Sequence, residues 1–163
     1  STITGSGDVA IDTDTLKVDV SNDRVGINQA TPLAPLQIAN LGFGEATGTL
    51  SNTDNNDTSD NITMALFDIS EFRSAKLLIE VDGEDGSGNR VVEAAEAIVT
   101  HDGSSNGRIT TYGVVQSNAS QTPQATYSVT VTGGNLNLVI TPAGIHNVQY
   151  DARVTWQGMV TTT

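Results

Sequence analysis

Apolar and polar residues alternate with a period of two along much of this chain, and that period limits its fold more than any other feature. Ala125, Tyr127, Val129 and Val131 share one face, with Thr126, Ser128, Thr130 and Thr132 opposite. Val148, Tyr150, Ala152, Val154 and Trp156 repeat the pattern against Asn147, Gln149, Asp151, Arg153 and Thr155. Ala75, Leu77, Ile79 and Val81 are the apolar positions of a third run. Successive strand side chains point to opposite faces, so each run reads as a strand with one dry and one wet face. Leu136, Leu138 and Ile140 form a fourth, joined to the first by Gly133-Gly134, a two-residue hairpin signal. Arg90–Val99 is ambiguous. Arg90, Glu93 and Glu96 recur at helical spacing, but strands surround the segment and it reads as one more strand. About seven short strands over roughly 100 residues predict an antiparallel β-sandwich, jelly-roll-like or Ig-like, with Tyr150 and Trp156 in its core.

The chain divides into three zones. Residues 1–40 hold extended pieces, with Leu16, Val18 and Val20 on one face, a turn at Ser21–Arg24, then Val25-Gly26-Ile27 and Leu36-Gln37-Ile38. Forty such residues cannot close a core alone. They read as an arm that packs on the body, on copies of itself or on another protein. Residues 41–61 contain Gly42, Gly44 and Gly48 and the run Ser51–Asn61, which has no apolar residue, and read as a loop or linker. Residues 62–163 carry the sandwich. The expected fold is therefore all-β: an extended N-terminal arm, a linker and an antiparallel sandwich.

Composition excludes several functions. Seven Lys and Arg against 19 Asp and Glu give a net charge of −12, which repels phosphate backbones and anionic bilayers. Neither a nucleic acid nor a membrane is an expected partner. The absence of Cys removes thiol chemistry and Cys-based zinc sites.

Two sets of motifs resemble a known class. Leu16-Lys17-Val18-Asp19-Val20-Ser21-Asn22-Asp23-Arg24-Val25-Gly26-Ile27-Asn28, with Thr31-Pro32 and Leu36-Gln37-Ile38, resembles a short module of fibre, spike and other virion proteins of tailed bacteriophages. Phe72-Arg73-Ser74-Ala75-Lys76, Glu96–Gly103, Thr110–Gly113 and Gly133–Leu136 are similar to a β-sandwich in structural proteins of marine, cyanophage-like tailed phages. The resemblance implies a virion structural protein. Its length suits a homotrimeric capsid decoration (cement) protein on the outer surface of the head, bound to the major capsid protein or another virion protein. A short fibre or receptor-binding tip contacting host glycans is the alternative. In the decoration reading Leu16, Val18, Val20, Val25 and Ile27 make trimer or capsid contacts, because they alternate and have no other local core, and the module's threefold collar implies that Arg24 bridges to a carboxylate of a neighbouring chain.

Residues that could carry chemistry read as structural. His101-Asp102 are adjacent and would face opposite ways on a strand, while His146 reads as a turn or strand-end residue. Glu80, Asp82, Glu84, Asp85, Glu93 and Glu96 mostly cluster around the glycines of a solvated hairpin loop. Asp54–Asp60 places oxygens at alternate positions like a calcium loop, but Ser59 and Ala65 stand where the Gly and the distal Glu belong. No enzymatic activity and no cofactor are expected.

Overall fold

The computed structural model describes residues 7–12, 15–50, 61–84, 89–117, 125–142 and 150–161. Twelve strands run through them: β1 (Val9–Ile11), β2 (Leu16–Asp19), β3 (Arg24–Ile27), β4 (Leu36–Ile38), β5 (Leu41–Leu50), β6 (Ile62–Asp68), β7 (Phe72–Glu84), β8 (Arg90–His101), β9 (Gly107–Gln116), β10 (Ala125–Thr132), β11 (Asn135–Pro142) and β12 (Tyr150–Val160). The protein is all-β. Nine strands form one sheet in the order β1-β2-β3-β4-β5-β12-β7-β8-β9, and β10-β11-β6 form a second. The β3–β4 pair is parallel; the other pairs are antiparallel.

The period-two runs are strands, as their spacing requires. Phe72, Leu77, Ile79, Val99, Leu136, Leu138, Ile140, Tyr150 and Val154 are buried between the two sheets, and Trp156 joins them. The Arg90–Val99 segment is strand β8, paired on both sides. Helical spacing loses there because β7 pairs with the segment along its length and β9 pairs with it from Glu93 onward. Gly133 and Gly134 both have positive φ, 62° and 82°, which a tight hairpin between right-twisted strands demands.

The domain boundaries are corrected in one place. Leu41–Leu50 is strand β5, paired along its length with β12. Its glycines are packing positions and do not punctuate a linker. A Cβ on Gly44 would lie 2.3 Å from the Trp156 indole, one on Gly42 2.5 Å from the Phe72 ring, and one on Gly48 2.4 Å from Ile62. The remainder of the expected linker, residues 51–60, lies outside the described residues. The N-terminal zone likewise hangs on the body: β4 pairs with β5 through Leu36↔Phe43 and Ile38↔Leu41, and β3, β2 and β1 follow in series.

Two local features carry testable energetics. Ala39, in the two-residue turn between β4 and β5, has φ 52°. A Cβ in the left-handed region costs about 1 kcal/mol, so Ala39→Gly is expected to raise stability by about 0.5–1 kcal/mol in urea melts. Glu93 is fully buried in β8, unlike the solvated loop acid its sequence context suggested. It accepts hydrogen bonds from the Tyr127 hydroxyl across the sandwich and from Gln116 Nε2 at 2.7 Å. Burial and this bond push the Tyr127 hydroxyl pKa up. Tyr127→Phe removes one donor from a desolvated carboxylate and is expected to cost about 1–3 kcal/mol.

Candidate functional site

The outstanding surface is the outward face of the sheet at its N-terminal end. Strand register decides its membership. Val9 lies beside Val18, Val18 beside Val25, Val25 beside Leu36, and Leu36 beside Phe43. A second row runs Ile11, Leu16, Ile27, Ile38 and Leu41. These ten residues cross five strands without a charge or a hydroxyl. Ile11 is 56% exposed, Ile27 41%, Ile38 40%, and Leu36 and Leu41 37% each. At about 4.8 Å per strand, the rows span roughly 20 Å.

The opposite face of β3–β5 is closed. Gln37 is fully buried there, its Oε1 accepting from Leu33 N–H at 2.7 Å and its Nε2 donating to Ala39 O at 2.8 Å. Ala34 packs over Gly42. Arg24 donates from Nη1 to Pro32 O at 2.9 Å. Asp19 accepts from Ser21 Oγ and Asn22 Nδ2, bonds that hold its carboxyl below the usual carboxylate range. A polar layer under the 29–35 loop thus fixes the strands from one side and leaves their aliphatic side uncovered.

The sheet changes character beyond β5. Its outward residues there include Thr47, Thr155, Gln157, Lys76, Glu80, Glu96 and Arg153. Lys76 pairs with Glu96 at 2.9 Å, a contact that raises the ammonium pKa, and Arg153 lies 3.4 Å from Glu80. Leu78 and Ile98 are exposed in this region, but each stands between Thr and charged neighbours. One side of one sheet is therefore continuously apolar at one end and mixed at the other, where Tyr112 and Val115 of β9 are exposed beside the charged pairs.

Of the residues singled out by sequence, Leu16, Val18, Val25 and Ile27 lie in the aliphatic face. Val20 follows the end of β2, and its amide donates to Asp8 Oδ1 at 2.9 Å. Arg24 lies on the other face, where it favours ionisation of Glu71 while burial pushes the Glu71 carboxyl pKa up. Sequence reasoning missed Val9, Ile11, Leu36, Ile38, Leu41 and Phe43. The signal was present in Leu41-Gly42-Phe43-Gly44, where glycine occupies the inward positions of an alternating strand.

The residues weighed for chemistry are otherwise engaged. His101 Nε2 donates to Phe72 O at 2.6 Å, and its Nδ1 accepts from Gly103 N–H at 2.9 Å. Asp102 caps its own loop, accepting from Ser104 and Asn106, which holds its carboxyl far below the usual range. His146, Asp85 and the Asp54–Asp60 run lie outside the described residues. Among the described residues, no three His, Asp or Glu side chains gather as a metal site.

No family model matches the chain, and no curated protein matches it. Solved structures that the chain resembles in part include two phage tailspike proteins. The tailspike protein of Acinetobacter baumannii phage AM24 superposes with a TM-score of 0.42 and 7% identity, over 78% of this chain and 30% of that one. The tailspike protein of Acinetobacter phage vB_ApiP_P1 gives 0.46 and 21%, over 72% of this chain and 22% of that one. The chain spans less than a third of either protein.

Proposed function

We propose that this chain is a non-enzymatic structural protein of a tailed-phage virion. In this reading it is a homotrimer of the capsid-decoration type. The β1–β5 faces of three copies cover one another, and the sandwich bodies meet the capsid or another virion protein. The observation that carries the proposal is the ten-residue aliphatic face. Two rows of exposed and half-buried Val, Ile, Leu and Phe on a one-sided sheet extension need a cover, and closed symmetry supplies the same cover to every copy. The resemblance of Leu16–Asn28 to a virion module supports the same reading, because that segment builds β2, the turn and β3 of this face. The mechanism needs no reaction. A protein that binds only the assembled shell stabilises the shell by mass action.

A fibre or receptor-binding tip is the second reading. Such a site uses exposed aromatic rings to stack on sugars. Of the seven aromatic residues, Tyr112 alone is more than half exposed, at 51%, which favours decoration. Immunogold labelling of the tailed particles that encode the chain tests both. Label spread over the head is the expected result. Label confined to the tail tip would establish the second reading, and particles without label would overturn the virion assignment.

A further inference from the structure

A different part of β5 presents backbone instead of side chains. Strand β4 is three residues long and pairs only with Leu41–Phe43, whereas β5 continues to Leu50. From Gly44 to Leu50, β5 has a strand neighbour on the β12 side alone among the described residues. The direction of its free groups follows from the ladder. Val25 N–H donates to Pro35 O, and Ala39 N–H to Ile27 O, so residues 35, 37 and 39 point toward β3. Leu36 and Ile38 therefore point toward β5, and Phe43 and Leu41 point back. Alternation then turns the N–H and C=O groups of Glu45, Thr47 and Thr49 to the open side. The inward residues of this stretch, Gly44, Ala46, Gly48 and Leu50, are only half-buried although they face the core. A missing neighbour accounts for that.

Depressions flank the open edge on both sides of the sheet. One of about 610 Å³ lies outward and one of about 370 Å³ inward, and Pro35, Gly44, Glu45 and Trp156 line both. The inward one carries Asp68 and Glu71 against Arg24. Beside Thr47 and Thr49, the outward surface carries Glu80, Asp82 and Asp151 against Arg153, which pairs with Glu80, and Arg90, which pairs with Asp82. Carboxylates outnumber cations on both sides of the strand.

We infer that the free edge of β5 at Glu45–Thr49 is a β-addition site for an extended segment of another protein with basic side chains at alternate positions. Backbone pairing to Glu45, Thr47 and Thr49 supplies the affinity, and alternate side chains reach the acidic surfaces on each side. A second copy does not fit this chemistry. The chain has seven Lys and Arg in 163 residues, and none of its described strands alternates them. The site is separate from the aliphatic face and does not depend on the virion assignment.

The test uses the full chain, labelled with 15N, and three synthetic nine-residue peptides. One alternates Lys and Val, one alternates Glu and Val, and one is the Lys/Val peptide N-methylated at every second amide. The Lys/Val peptide is expected to shift the amide resonances of Glu45, Thr47 and Thr49 and slow their hydrogen exchange at least tenfold. The Glu/Val and N-methylated peptides are expected to bind at least tenfold more weakly. Thr47→Pro, which removes one outward N–H at an edge position that tolerates proline, is expected to lose the binding. The N-methylated comparison decides the matter even if that variant folds poorly. Equal binding of the Lys and Glu peptides, equal binding after N-methylation, or no effect on these three amides at millimolar Lys/Val peptide would overturn the inference.

Discussion

Gly44→Val is expected to lower stability by about 3 kcal/mol, or about 6–12 °C in Tm for a chain of this size. A Cβ at this position would sit 2.3 Å from Trp156 Cζ2 and 2.4 Å from Cε2. The indole cannot retreat, because Phe67 and Phe72 meet it edge-on with ring centroids at 5.4 and 5.2 Å. Interiors packed at crystal density transmit such an intrusion as strain. Two comparisons isolate the cause. Gly113→Ala, where the nearest atom to the new Cβ is 4.0 Å away, is expected to change stability by less than about 0.5 kcal/mol. Combining Gly44→Val with Trp156→Ala is expected to cost less than the sum of the two single changes, since the pair shares one volume. Thermal and urea melts of the four variants check this. Additive losses would mean that the indole does not set the requirement for glycine.

Val25→Asp and Leu36→Asp, adjacent in the middle of the aliphatic face, are each expected to disperse the proposed homotrimer. Each removes about 1–2 kcal/mol of apolar burial per copy and adds the cost of desolvating a carboxylate against aliphatic neighbours. The penalty recurs in every copy of a closed ring, so dissociation constants are expected to rise by at least a hundredfold. Both side chains point away from the sandwich core, so the core between the two sheets keeps its packing. Thr155→Asp, on the solvated part of the same sheet face, is the control and is expected to leave assembly unchanged. Sedimentation velocity reads all three.

The period-two runs revealed β7, β10, β11 and β12 because their dry faces carry large side chains and their wet faces carry Thr, Asn and Gln. In β5 the same alternation is hidden, since glycine stands on the dry side and the bulk comes from Trp156 on the paired strand β12, Phe72 on β7 of the same sheet and Ile62 on β6 of the facing sheet. A glycine that makes room for a distant ring looks, in one dimension, like a glycine that breaks a strand. Four of the ten residues of the aliphatic face were legible for a similar reason. Leu16, Val18, Val25 and Ile27 alternate within β2 and β3. Their neighbours Leu36 and Ile38 join the face only through the parallel β3–β4 pairing, which local pattern does not specify. Arg24 lies off this face because register, not composition, puts it beside the loop at Pro32. Glu93 reads as a surface acid until Tyr127, 34 residues away, supplies its partner.

The central claim is that the aliphatic face of β1–β5 is covered by other copies of the chain. Sedimentation equilibrium of the full chain, from low micromolar to submillimolar concentration, tests it most directly. A mass three times 17.0 kDa is expected across that range, falling to 17.0 kDa for Val25→Asp. A folded monomer of 17.0 kDa at every concentration, unaltered by Val25→Asp, would contradict it.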